Sequence, residues 1–309
     1  MLLHGDVPIP WAKAPAVVAG IAIAAVVYAR GWRTYQRRLP ARVSPWRLVA
    51  FLGGLGCLWV ALASSIDAVA DVRLSAHMVQ HILLLTCAPA LILLGHPLLP
   101  LIRGLPGPLR RKMIAPLARQ RWLRRAWHGL THPVAALLLS SVIFWLWHVP
   151  GPFQLALRVP VVHLVEHASF FVGGLLFWWP VVQPWPSRPR WPAGAMIPYL
   201  LVADVQNTVL AAVLTFADRV LYPFYEAVRP GAGATALGDQ VLAGVLMWVP
   251  MSLAYLVPAA LLTIQLLSPS SSTARMSDPH RRALAKGDVR ATLATNQQRL
   301  RSGAVALRH

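Results

Sequence analysis

Charge is scarce in this sequence. Asp, Glu, Lys and Arg make up 13% of its 309 residues, against roughly 25% in soluble globular domains. Acidic residues are the scarcest, 10 against 29 Lys and Arg. With 57% hydrophobic residues, the chain is excluded from the ordinary water-soluble class. Cysteine is nearly missing too. Only Cys57 and Cys87 occur, both inside apolar runs, which excludes a disulfide framework and a Cys-x-x-Cys site. Internal repeats and low-complexity blocks are absent. The opening MLLHGDVPIPWAK lacks the positive n-region of a signal peptide, so the first apolar run is expected to be a retained helix.

What fills the chain instead is long apolar runs. Seven of them, at about 14–30, 47–67, 76–96, 134–150, 161–182, 194–217 and 239–266, approach the roughly 20 residues needed to cross a bilayer. The expected fold is an all-α integral membrane protein: a seven-transmembrane-helix bundle over 1–266, then a basic and polar tail over 267–309. The fourth run is the shortest and stops at Val149-Pro150-Gly151-Pro152.

The net charge of +19 raises the question of a nucleic-acid partner, and the placement of the charge argues for no nucleic acid. Basic residues cluster in alternate loops: Arg30 to Arg47, Arg103 to Arg125, Arg188 with Arg190, and the tail. The opposite loops hold only Lys13, Arg73, Arg158, Arg219 and Arg229. The positive-inside rule then sets the N-terminus outside and the C-terminus in the cytoplasm, with the lipid bilayer as the first partner. Within one basic loop, residues 105–130 mix Arg with Leu, Ile and Trp at helical spacing. The stretch reads as an interfacial amphipathic helix on an anionic leaflet, or as a solvated basic loop.

This topology gathers histidines at one level. His77 and His81, four apart at the front of the third run, share a helix face at its outer end. His148 closes the fourth run at that level, and His163, Glu166 and His167 open the fifth. Asp67 ends the second run and Asp239 begins the seventh. Ionisable groups in spanning helices are costly and mark function. Neutral imidazoles at this spacing ligate copper, zinc or haem iron, so His77, His81, His148, His163 and His167 are the candidate metal ligands. Each has a plainer reading, as a helix–helix hydrogen-bond partner or an interfacial residue beside tryptophans.

Supporting residues are Glu166, to orient a histidine or as a rim charge, and Asp239, also the N-cap of the seventh helix. Asp67 belongs to the same slab. Met78, like Met247 and Met251, offers a thioether suited to Cu(I) or simply packs. Asp204, with Asn207, lies near mid-membrane in the sixth run. Three chemistries suit such a cluster. The first is transient copper binding by a non-enzymatic protein. The second is an intramembrane zinc-dependent hydrolase with Glu166 or Asp239 as base. The third is a haem-binding membrane protein with a two-histidine axial pair.

Four stretches in order, HMVQHILLLTCAPALILLGHP, FWLWHVPGPFQLAL, VHLVEHASFFVGGLLFWWPVV and GDQVLAGVLMWVP, resemble the multi-spanning CtaG-type cytochrome c oxidase assembly factors. The likeness runs over most of residues 45–265, including the Leu-Thr-His-Pro before the fourth run. It implies a seven-helix protein of the bacterial plasma (inner) membrane that assists maturation of, or copper supply to, the haem–copper oxidase, whose subunits would be its partners. Carried over by position, the matched polar residues are His77, His81, His148, His163, Glu166, His167 and Asp239. A single-pass copper chaperone shares the family label but has a soluble copper domain that this chain lacks. The copper reading therefore rests on the histidines.

Overall fold

A computed structural model describes residues 15–38, 44–228 and 235–268. Residues 1–14 and the basic tail from 269 onward, both given expectations above, lie outside the described residues. The chain divides into two units, Met1–Ala260 and Leu261–His309. The described residues form helices and no strands. In order these are α1 (Pro15–Arg38), α2 (Pro45–Ala63), α3 (Ser65–Ala70), α4 (Leu74–Leu94), α5 (Leu98–Gly104) and a broken α6 (107–119). There follow α7 (Arg121–Leu130), α8 (Pro133–His148), α9 (Pro150–Arg158), α10 (Pro160–Val182), α11 (Met196–Phe216), α12 (Phe224–Ala227) and α13 (Ala236–Leu267).

Among the described residues, six helices are long and apolar enough to cross a membrane, or seven if α7 and α8, bent by 70° at a short break, count as one span. The fourth expected span is thus the exception. Its apolar part is the 16-residue α8, short of the roughly 20 residues a span needs. The expected helix over 105–130 is a chain of short helices instead. On α7, Trp122, Trp127 and Leu130 are exposed beside Arg121, Arg124 and Arg125. The second run also breaks early. Ser64 leaves the helix, accepts a bond from the Ile66 N–H at 3.2 Å and caps α3. Asp67 therefore sits on a separate short helix.

Small residues let the spans touch, as lipid-embedded packing requires. A Cβ on Gly54 would lie 2.7 Å from Ile92 Cγ1, and one on Gly95 would lie 2.7 Å from Phe51 Cβ. One on Gly174 would strike the Leu85 carbonyl of α4. Tyr28 is fully buried, stacks on Phe51 with centroids 3.8 Å apart, and donates to the Gly95 carbonyl at 2.6 Å. These contacts join α1, α2 and the end of α4. Within α4, residues Leu83–Cys87 form a π-helical turn directly below His81, the kind of irregularity often found beside functional sites. Bulky apolar side chains such as Leu138, Val142, Val161, Leu164 and Leu253 stay exposed, as on a lipid-facing surface.

After α4 the chain turns at Gly95-His96-Pro97. Gly95 is right-handed and serves close approach, while His96 takes the left-handed position with φ 51°. Histidine tolerates that region better than a β-branched residue would. His96 Nδ1 accepts the Trp185 N–H at 2.9 Å, which requires an unprotonated ring nitrogen. Burial, then the charge of Arg47, holds this imidazole down to about 4. A depressed folded value means that this bond's contribution is complete above the ordinary histidine range and is lost as pH falls toward 4. The melting temperature is expected to fall between pH 6.5 and pH 4, and to fall less in His96→Asn, whose amide oxygen still accepts the bond. Equal slopes in wild type and variant would contradict this.

Candidate metal centre

The centre starts with how α4 begins. Its first N–H groups have no partner within the helix, and no side chain of its own N-cap, Arg73, supplies one. Asp239, in the first turn of α13, supplies it from another helix. Its Oδ2 accepts the Leu74 N–H at 2.8 Å and its Oδ1 accepts the Ser75 hydroxyl at 2.6 Å. From sequence Asp239 is either a support for the centre or the cap of its own helix. Since α13 begins at Ala236, Asp239 lies inside it and caps α4 instead. This places His77 and His81 on the first turns of a firmly anchored helix.

Across from them, α10 presents His163, Glu166 and His167 on successive turns. Glu166 has no exposed surface, so it is no rim charge. Its Oε1 lies 3.4 Å from His81 Nε2 and its Oε2 lies 3.7 Å from His77 Nε2. His163 Nε2 and His167 Nε2 are 3.1 Å apart. One donor atom each from His77, His163, Glu166 and His167 fall within 4.8 Å of one another, a group that could hold a metal ion. Glu166, read from sequence as a support, stands among the donors.

Two observations test the fit of an ion. Both nitrogens of His77 and of His81, both oxygens of Glu166 and Nε2 of His148 are buried without a hydrogen-bond partner. Buried polar atoms are normally satisfied, so such a group asks for an ion or water. Two nitrogens each about 2.0–2.1 Å from one ion stand about 3–3.4 Å apart in angular coordination, close to the His163–His167 separation. The other donors are spread more widely and would have to draw inward.

His148, ending α8, joins from the side. Its ring is 5.6 Å from that of His81, outside the four-donor group. Its Nδ1 lies 2.7 Å from the Phe144 carbonyl, which can only accept. The proton is therefore on Nδ1 and the Nε2 lone pair is left available. Aromatic rings wall the site: Phe170 lies 4.3 Å from His81, and Phe153 lies 5.1 Å from His77. Phe153 in turn packs on Tyr222, whose hydroxyl donates to the His148 carbonyl at 2.8 Å. Phe153, Phe170 and Tyr222 were not legible in sequence, since nothing in their spacing distinguishes a wall from ordinary packing.

One side is open. His163 is only partly buried and, with His167 and Asp67, lines a cavity of about 420 Å³ walled by Val17, Leu58 and Leu84. Asp67 also accepts a bond from Gln80 Nε2 at 3.1 Å. Gln80, fully buried between His77 and His81 in sequence, additionally donates to the Ala61 carbonyl at 2.6 Å. It ties α4 to α2 and was missed because a glutamine carries no metal signal. Met78 is fully buried, roughly 100° round the helix from His77. Asp204 stands apart on α11. Leu214, bonded at its carbonyl by Gln240, marks the level where α13 begins, and Asp204 lies about 15 Å along the helix from it.

The bundle and its buried group define a helical membrane protein with a histidine–carboxylate centre at one end of the spans. More narrowly, the chain belongs to the cytochrome c oxidase caa3 assembly factor family, which matches residues 26–268. It is similar to an uncharacterized protein of Mycobacterium bovis and one of Mycobacterium tuberculosis, each 27% identical over 271 residues, 84% of this chain and 40% of theirs. A Mycobacterium leprae protein is 24% identical over 240 residues, 76% of this chain and 36% of that one. The chain thus spans less than half the length of these curated relatives. No solved structure matches it.

The cap from Asp239 predicts a measurable loss. Asp239→Ala leaves the Leu74 N–H and the Ser75 hydroxyl unpaired and should cost about 2 kcal/mol or more, the upper range for cap removal. It should lower the melting temperature in detergent, while Asp239→Asn, which can still accept, should lose less. Equal stability of the alanine variant and wild type would contradict the assignment.

Proposed function

We propose that this chain is a non-catalytic assembly factor of the plasma membrane. It holds copper at the histidine–glutamate centre and passes it to a haem–copper oxidase subunit. The observation that carries the reading is the convergence of His77, His81, Glu166, His163 and His167 with buried polar atoms that have no partners. The family supplies the process, and the donor set supplies the chemistry. Imidazole suits copper, zinc and iron alike. One buried carboxylate among imidazole ligands balances a single positive charge, which favours Cu(I) in so dry a setting.

In this reading His77, His163, His167 and Glu166 hold the ion, while His81 and His148 stand beside it as alternative nitrogens. Phe153 and Phe170 exclude water. His163, the least buried of the centre's histidines, faces the cavity through which the ion would exchange. The charge distribution of the loops supports an outside position for this end of the bundle, where a copper centre of the oxidase would receive the ion.

Full-length protein purified in detergent, titrated anaerobically with Cu(I), should bind about one equivalent. His77→Ala/His167→Ala should abolish tight binding, and Glu166→Gln should weaken it by about 10–100-fold. In cells, the double variant should leave the oxidase short of copper relative to haem. Undiminished binding by the double variant would sink the proposal. So would a stoichiometric zinc ion accompanied by lipid or amide hydrolysis, or a Soret band in the visible spectrum.

A further inference from the structure

At the opposite end of the bundle lies a different kind of centre, and it stands without the copper reading. Arg30, Arg33 and Arg37 repeat at three and four residues on the last turns of α1, sharing one face. Arg103 closes α5. With Thr34 and the Gly104–Gly107 turn, these four arginines line a cavity of about 340 Å³. All four are exposed. Among the described residues none of them forms an ion pair. The Arg103 guanidinium sits 5.9 Å over the Tyr35 ring, which orients it.

The arginines are brought together by backbone contact. A Cβ on Gly31 would collide with the Pro100 carbonyl, and one on Gly104 with the Val27 carbonyl. Two glycines therefore let α1 and α5 meet main chain to main chain, and this close approach sets four like charges round one cavity. Like charges so placed repel unless an anion lies among them. Guanidinium groups match the oxygens of a phosphate group in geometry as well as charge. Basic pockets between helix ends at the level of the lipid headgroups are suited to anionic headgroups.

We propose that the cavity between α1 and α5 binds a phosphate-bearing anion through Arg30, Arg33, Arg37 and Arg103, either the headgroup of an anionic phospholipid or free phosphate. The full chain in detergent can be examined by native mass spectrometry with phosphatidylglycerol or phosphatidylcholine added, and by melting in sodium phosphate against sodium chloride of equal ionic strength. One phosphatidylglycerol should be retained in preference to phosphatidylcholine. Arg33→Gln/Arg103→Gln should weaken it about thirtyfold, each arginine near an anionic surface being worth roughly a factor of five. Arg33→Lys/Arg103→Lys, which keeps the charge and reports on folding, should retain most of the binding. Arg124→Gln/Arg125→Gln, equally basic but away from the cavity, should leave it unchanged. Stabilisation by sodium phosphate, lost in the glutamine pair, would identify free phosphate as the source; retention of phosphatidylglycerol alone would identify the headgroup. Binding of neither probe, equal binding of both lipids, or equal loss in the Arg124/Arg125 pair would overturn the proposal.

Discussion

A carboxylate without exposed surface governs this structure. Glu166 sits on the second turn of α10, fully buried, facing His77 and His81 of α4. A charge in such a place is tolerated only when other groups answer it. The answer comes from His77 and His81 on α4, with nitrogens 3.7 and 3.4 Å away, and from the two histidines that flank Glu166 on its own helix. These imidazoles answer it only in part. Both oxygens of Glu166 and both nitrogens of His77 and of His81 have no hydrogen-bond partner among the described residues.

Holding α4 against α10 at the correct height takes contacts well away from the histidines. Asp239 fixes the start of α4 from α13, and Gln80 ties its second turn to α2. Gly174 admits the α4 backbone at the level of the π-helical turn. At the far end, Tyr28 bonds the Gly95 carbonyl and stacks on Phe51. The span is therefore pinned at both ends, and the histidines occupy the end where the polar contacts gather. Tyr225 adds to this, its hydroxyl donating to the Ala70 carbonyl at the turn before α4.

Much of the fold was legible in the chain because membrane spans are read from length and apolarity, and both are properties of continuous sequence. The ends were less so. Run 47–67 was expected to reach Asp67 unbroken, but the Ser64 hydroxyl competes for backbone bonds and the helix divides there. After α4, the crossing with Phe51 uses Gly95 for its small size, and the left-handed turn falls to His96. The fourth span is short because α7 and α8 meet at a bend. Hydropathy alone cannot tell a bend from a continuation.

For the centre, sequence alone determined which residues share a helix face and which lie at one level. A spacing of four sets His77 beside His81 and His163 beside His167 whatever the surroundings. Only the tertiary structure decided how those faces were turned. Helical periodicity gives the angle between two residues on one helix, but the rotation of that helix within the bundle depends on what it packs against. That rotation put Glu166 among the donors, turned Asp239 toward α4 rather than its own helix, left His148 at the side and Asp204 well away, and opened His163 toward a cavity.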